Sequence, residues 1–317
     1  MRSKNQKKHI WLSLTGGLGN QLFQLAAASS LGPDKLTLVT RFGLPRTTGG
    51  IPDVCHYKLP PHIELENATK EPIFSRKTVG YLLRMGITPR VIEKNKFVRL
   101  AINFVARLLL SLRMKHFLQT HVSQGVGFFP IKTTRKKVFL IGYFQTKKYL
   151  GVNDVEIMFK SLELKSKPEI LLTYETLATD ENPLVVHVRL GDYRVESNFG
   201  ILTQYYYESI HPLWSSGTYK KIWLFSDEPS AALEVIPKSL RQQVRVINDS
   251  NENPATTLEL MRLGKGYVIA NSSLSWWGAK LSRAENPIVV APTPWFKSMP
   301  EPQQLIPKGW QRRAGFN

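Results

Sequence analysis

The 317-residue chain has one cysteine, Cys55, so no disulfide can close within it. That usage fits a reducing compartment. It also lacks a long apolar run. The basic stretch Met1 to His9 leads only into Ile10-Trp11-Leu12-Ser13-Leu14 before Thr15-Gly16-Gly17, too short for the core of an export signal and far from the roughly 20 residues of a membrane span. A cytoplasmic location is the expectation. Metal signatures are missing as well: there is no Asp-x-Asp, no His-Glu-x-x-His, no cysteine pair and no Gly-x-x-x-x-Gly-Lys-Ser/Thr. No metal ion is expected, and any bound diphosphate would have to be met by arginine and backbone amides.

Acidic residues are scarce. Lys and Arg number 43 against 24 Asp and Glu, a net charge of +19. Between 76 and 121 stand Arg76, Lys77, Arg84, Arg90, Lys94, Lys96, Arg99, Arg107, Arg113 and Lys115, opposed by Glu93 alone. Phe97 to Leu118 reads as a helix with Val98, Ile102, Val105, Leu109 and Leu112 on one face and Lys96, Arg99 and Arg107 on another. A solvated helix, a surface for anionic lipid and a nucleic-acid contact all fit that pattern. Nothing resembles a zinc knuckle, a ribonucleoprotein motif or a helix-turn-helix, so nucleic acid is the least expected partner.

What is present is a series of short apolar strands ending in polar clusters. Leu184-Val185-Val186 runs into His187, Arg189, Asp192 and Arg194. Lys221 to Phe225 ends in Ser226-Asp227-Glu228, and Gly266 to Ala270 in Asn271-Ser272-Ser273-Leu274-Ser275-Trp276-Trp277-Gly278. Near the start, Ile10 to Leu14 meets Gly16-Gly17-Leu18-Gly19-Asn20-Gln21, followed by a helical run from Leu22 to Leu31. Strands alternating with helices, each strand ending in small polar groups, describe a nucleotide-binding α/β architecture. Glycines admit a ligand close to backbone amides, and the helix start behind them favours an anion. Lys136 to Gln145 adds another strand and turn, and residues 43–72 read as loop with short strands. Lys165-Ser166-Lys167-Pro168 separates residues 1–165 from 166–317, Ile170 to Ala178 forms a helix, and Pro292 to Asn317 wraps a surface as irregular chain.

Each motif also has a plain structural explanation. Arg189 fits a salt-bridged scaffold arginine as well as an anion clamp, which its fork of N–H donors suits. His187 fits a core histidine or a substrate contact, and Asp192 a turn cap, an arginine partner or a base. Ser226-Asp227 fits an N-cap or a contact to ribose or base. Asn271, Ser272, Ser273 and Ser275 fit a capped helix start or a phosphate site. Adjacent Trp276 and Trp277 cannot share a helix face, so one is expected outside the main core.

Taken together the segments resemble glycosyltransferase family 11, the α-1,2-fucosyltransferases. His187-Val188-Arg189-Leu190-Gly191-Asp192-Tyr193, Phe225-Ser226-Asp227-Glu228, Asn271 to Ala279, Gly16 to Gln24 and Gly142-Tyr143-Phe144-Gln145 stand in that family's order. The resemblance implies a GT-B type α/β fold, two Rossmann-like domains facing a cleft. It implies an inverting, metal-independent transfer of L-fucose from GDP-β-L-fucose, a substrate and not a cofactor, to the 2-hydroxyl of a terminal galactoside. The acceptor side falls to residues 1–165 and the donor site to 166–317. It further implies Arg189 on the diphosphate, Asn20 near the reacting centre, and Gly17, Gly19, His187, Ser226, Asp227, Asn271, Ser272, Ser273 and Ser275 lining the substrate. Many members carry a second arginine where this chain has Leu190, which leaves Arg189 alone or aided by Arg194.

The expected chemistry is attack of a sugar hydroxyl on the anomeric carbon as GDP leaves, with Arg189 countering charge on the β-phosphate. Asp192 is the first candidate base and Glu196 the second, and a tryptophan face is a candidate sugar platform. The expected setting is a surface polysaccharide such as an O-antigen, built on a lipid-linked precursor at the inner membrane face. The rivals are a transferase of other linkage, a nucleic-acid or anionic-membrane binding protein, and a GDP-sugar sensor without turnover.

Overall fold

The computed structural model describes residues 7–40, 45–66, 119–122, 135–196, 198–247, 253–302 and 304–316, with isolated positions between 101 and 133. The basic segment 76–121 and its helix fall almost entirely outside the described residues. The chain divides into two compact units, Met1–Lys165 with Gln303–Leu305, and Ser166–Pro302 with Ile306–Asn317.

The first unit is built on a parallel five-stranded sheet of β1 (His9–Ser13), β2 (Lys35–Val39), β5 (Ile63–Leu65), β6 (Gln119–Val122) and β7 (Lys137–Ile141), in the order β5-β2-β1-β7-β6. Two two-residue strands, β3 (Thr47–Thr48) and β4 (Ile51–Pro52), form a small antiparallel ribbon. Helix α1 (Leu18–Ser29) follows β1, and α2 (Val155–Lys160) closes the unit. Buried parallel strands read as continuous apolar runs because both faces are covered. Ile10, Leu12, Leu36, Leu38, Val138 and Leu140 are all without exposure. Helix α1 starts at Leu18, four residues ahead of the expected start at Leu22, so Gly19 and Asn20 belong to its first turn.

The second unit carries a parallel six-stranded sheet, β10-β9-β8-β11-β12-β13. Its strands are β8 (Leu184–Val188), β9 (Ile222–Ser226), β10 (Val244–Val246), β11 (Gly266–Val268), β12 (Ile288–Thr293) and β13 (Gln311–Ala314). Numbered within the unit the order is 3-2-1-4-5-6, the doubly wound dinucleotide-binding arrangement. The chain order reverses between β8 and β11, and ligands of such sheets bind beyond the carboxyl ends of the strands at that point. The helices are α3 (Glu169–Glu181), α4 (Gly191–Val195), α5 (Thr203–Trp214), α6 (Pro229–Glu234), α7 (Pro254–Met261) and α8 (Ser273–Lys280).

The tail corrects the sequence reading. Residues Gln311–Ala314 are a sixth strand paired with β12 and not irregular chain. The polar row Gln-Arg-Arg-Ala hides a strand at an edge, where no second face needs apolar cover. Arg312 anchors it through Glu301 and the Pro292 carbonyl.

Candidate functional site

Side chains on a strand alternate between faces. On β8, Val186 and Val188, continued by Leu190, pack into the core with Tyr205, Tyr206 and Ile210 of α5. His187 and Arg189 therefore take the other face, and there they line a pocket of about 240 Å³. Phe225, Ser226 and Asp227 from the end of β9, Val246 and Ile247 from the end of β10, and Leu274 at the start of α8 complete its strand-end side. Ile170 and Tyr174 of α3 and Thr257, Leu260 and Met261 of α7 form an apolar wall. The pocket thus joins a flat apolar slot to one guanidinium, at the switch point of the sheet.

Arg189 is held from two sides. Its Nε donates to Asp192 Oδ1 at 3.0 Å, Nη2 reaches the same oxygen at 2.9 Å, and Asp227 Oδ2 lies 3.4 Å from Nε. The Tyr193 ring sits 5.8 Å from the guanidinium carbon. Asp227 Oδ1 also accepts the Leu190 backbone N–H at 3.0 Å. That carboxylate comes so close to Gly191 that a Cβ there would stand 2.5 Å from Asp227 Oδ2. A side chain at Gly191 would push the Asp227 carboxylate from the position that holds Arg189 and the Leu190 N–H. With only 23% of its side chain exposed, Arg189 is held in place by these two carboxylates.

His187 is 4% exposed, and its Nδ1 is buried without a hydrogen-bond partner. Burial first, and the Arg189 charge second, pull its pKa down to about 3. The imidazole is neutral at physiological pH, and it borders the pocket with an unmet polar atom.

The remaining strand-end residues divide. Ser226 Oγ accepts the Glu228 N–H at 3.0 Å while lining the pocket. Asn271 is 2% exposed, and its amide donates to the Phe199 carbonyl at 2.9 Å, so it ties down the loop between α4 and α5. Ser275 is buried and bonds back to the Ala270 and Ser272 carbonyls. Of the four, Ser272 and Ser273 are the two left at the open start of α8, where no side chain caps the helix. Both tryptophans are without exposure, with rings 5.1 Å apart, and Trp276 also meets Trp310. Neither lies outside the core and neither offers a face to a sugar, because the tail covers the side of α8 that the sequence left unassigned.

Leu190 is 3% exposed inside the α5 core. Burying such a side chain contributes about 1.5–3 kcal/mol, and a charged residue there would lose that. Arg194 pairs with Glu228 at 2.8 Å and is not among the pocket lining. Glu196 accepts from the Asn198 amide at 3.1 Å.

The first unit has its own switch point, between β1 and β7. Gly16 takes φ +72°, and a Cβ on it would stand 2.6 Å from Asn20 Nδ2. Gly17 occupies the N-cap position of α1, and its carbonyl accepts from Asn20 and Gln21. Buried Gln21 bonds the Gly16 and Arg46 carbonyls and the Val54 N–H, while Gln24 makes two bonds with the Thr15 backbone. From the turn after β7, Gln145 donates to Asn20 Oδ1 at 2.7 Å. Gln145 was given no site role from sequence, and Tyr174 and Thr257 were not singled out. The Gly142 to Gln145 signature was the available signal for the first, and the other two are ordinary helix positions that only folding brings to a pocket.

No family model matches the chain. It is 29% identical over 302 residues to an alpha-1,2-colitosyltransferase of Escherichia coli, covering 90% of this chain and 91% of that one. It is 35% identical over 127 residues to the O-antigen biosynthesis glycosyltransferase WbnK of Escherichia coli, covering 38% and 42%. Its relatives are glycosyltransferases. Glycosyl transfer is the reaction class this likeness supports for the chain. Among solved structures, a fucosyltransferase NodZ from Bradyrhizobium aligns over 88% of this chain and 94% of its own, at 12% identity and a TM-score of 0.48. Among the described residues, no group of His, Cys, Asp and Glu is placed to hold a metal ion, and no helix is long and apolar enough to cross a membrane.

Proposed function

We propose that this chain is a GT-B type glycosyltransferase that moves a 6-deoxy sugar, L-fucose in the first instance, from a GDP-activated donor to the 2-hydroxyl of a terminal galactoside, with inversion and without a metal ion. The observation that carries the reading is Arg189, fixed by Asp192 and Asp227 at the mouth of an apolar-walled pocket at the sheet's switch point. The slot between Tyr174, Ile170, Val246 and Met261 suits a purine, and Arg189 with the open start of α8 suits the diphosphate. The acceptor hydroxyl attacks the anomeric carbon, the bond from that carbon to the β-phosphate oxygen breaks, and the electron pair leaves with GDP. Arg189 stabilises the charge gathering there. Asp192, half exposed beside Arg189, is the carboxylate proposed to take the hydroxyl's proton.

The likeness to a colitosyltransferase bears on the donor. Colitose lacks the 3-hydroxyl of fucose, and the two donors are otherwise the same problem in recognition. The deciding experiment is GDP release from GDP-fucose and GDP-colitose over a panel of terminal β-galactosides. Acceptor-dependent release from either donor, abolished in Arg189→Ala, is the expected result. A chain that binds GDP yet turns over neither donor with any acceptor is a sensor, and one that does not bind GDP at all sinks the reading.

An O-antigen or related surface glycan on a lipid carrier is the proposed acceptor. Peripheral contact with anionic membrane is proposed with it, because Phe104, Val105 and Leu108 are helical and exposed within the strongly basic segment. Flotation with vesicles containing anionic lipid, and not with neutral ones, is the expected outcome. Equal flotation with both, or with neither, removes this part of the proposal.

A further inference from the structure

Apolar packing holds helix α3 lightly. From Glu169 to Glu181, Leu171 and Ala178 are the two buried residues, so polar contacts do much to set its place. At its far end Glu181 accepts from Trp223 Nε1 at 2.6 Å and from Arg245. At the level of the pocket the contact is Glu175, next in the chain to Tyr174. Its Oε1 meets Arg283 Nη1 at 2.6 Å. The other arm of the same guanidinium, Nη2, reaches Glu259 Oε2 of α7 at 3.0 Å, one residue before Leu260. Arg283 is itself seated beyond the end of α8, where its backbone N–H goes to the Arg262 carbonyl at 2.9 Å. One side chain thus ties together the two helices whose Ile170, Tyr174, Leu260 and Met261 wall the pocket.

Charge balance does not require this bridge. Glu175 Oε2 keeps Lys167 at 2.7 Å, and the buried Glu259 keeps Arg262 at 2.8 Å, so neither carboxylate would be stranded without Arg283. What Arg283 supplies is the span from one helix to the other, for which a planar fork with two nitrogens is better suited than an ammonium. We infer that Arg283 is a positioning residue: bound to Glu175 and Glu259, it sets the width of the slot between α3 and α7, and so the fit there of a flat ring, the base of the nucleotide-sugar donor. The inference rests on the donor reading above. Arg283 does not line the pocket, so its effect passes through Tyr174 and Leu260. Arg189 draws its own partners from Asp192 and Asp227, so slot and clamp should respond separately.

The test is Arg283→Met and Glu175→Gln in the full chain, each titrated with GDP and, separately, with inorganic pyrophosphate. A slot that opens enough to lose about half the contact of a buried ring weakens GDP binding about tenfold. Pyrophosphate needs the Arg189 clamp and no slot, and should bind within about twofold of wild type. The two substitutions break one bridge, so the double variant should bind GDP no more weakly than Arg283→Met alone. Arg283→Lys, which reaches one carboxylate at a time, should fall between Arg283→Met and wild type. Unchanged GDP affinity in Arg283→Met overturns the inference. So does an equal loss for GDP and pyrophosphate, which is what general loosening of the fold would give. Losses that multiply in the double variant overturn it too. If wild type binds no GDP, the donor reading fails on its own, and the bridge is read from backbone amide exchange. Faster exchange at both Tyr174 and Leu260 in Arg283→Met upholds the bridge, and unchanged exchange at either rejects it.

Discussion

The two units solve one geometrical problem with opposite chemistry. Each places a loop beyond the carboxyl end of its first strand, at the point where the strand order reverses. In the second unit that loop is charged: Arg189 is clamped by Asp192 and Asp227 beside a pocket. In the first the loop itself is neutral: glycines, Asn20, Gln21, Gln24 and Gln145 are joined by amide hydrogen bonds, with Arg46 packed beside them. A guanidinium supplies long-range attraction and needs carboxylates to fix it. An amide supplies short-range direction and needs another amide to choose its face.

The sharpest way to break this contrast is Arg189→Ala, which should lower kcat/KM for the donor by about 10²–10³-fold, with Arg189→Lys between it and wild type because lysine lacks the fork. GDP release measures it. A loss below about threefold would remove the charge-based half of the contrast.

Next come the two glycines. Gly16→Ala must hold a side chain at φ +72° against Asn20, which costs about 1–3 kcal/mol, read from the urea midpoint. Gly191→Ala meets Asp227 Oδ2 at 2.5 Å and should cost about 1–3 kcal/mol as overpacking. In an Asp227→Ala background that second penalty should nearly vanish, whereas the Gly16 penalty should not change. Equal behaviour of both glycines in that background would erase the distinction between close approach and backbone strain.

The smallest effect concerns His187. Its folded pKa of about 3 lies below the ordinary 6.5, because burial and Arg189 oppose its charge. The unfolded chain takes up a proton below pH 6.5 and the native one does not. This contribution to stability is therefore whole above about 6.5 and is lost as the pH falls from there towards 3. His187→Gln should flatten the pH dependence of unfolding free energy in that window by up to about 1.4 kcal/mol per pH unit. An unchanged slope would mean the imidazole is protonated in the folded protein.

Much of this was legible because the strands are buried on both faces. Leu184 to Val188 and Ile222 to Phe225 read as strands from apolar continuity, and their polar ends mark His187, Arg189, Ser226 and Asp227 as candidate site residues. Legibility failed where a residue's partner is remote in sequence. Asn271 reads as a phosphate ligand in sequence, and in the fold one N–H of its buried amide goes to the Phe199 carbonyl, 72 residues away. Trp276 and Trp277 looked unable to share a core, and Trp310 from the tail supplies the second wall. The edge strand Gln311–Ala314 carries almost no apolar signal.

The sequence by itself determined the period and order of the strands, the glycines that loops require and the charge of the second unit's clamp, since these depend on neighbours within a few positions. Tertiary structure alone decided which polar side chains remain available to a substrate. Hydrogen-bond capacity is directed by distant partners, and only the folded chain shows that the Asn271 amide is tied to the Phe199 carbonyl, that Gln145 holds the oxygen of Asn20, and that the buried Nδ1 of His187 has no hydrogen-bond partner.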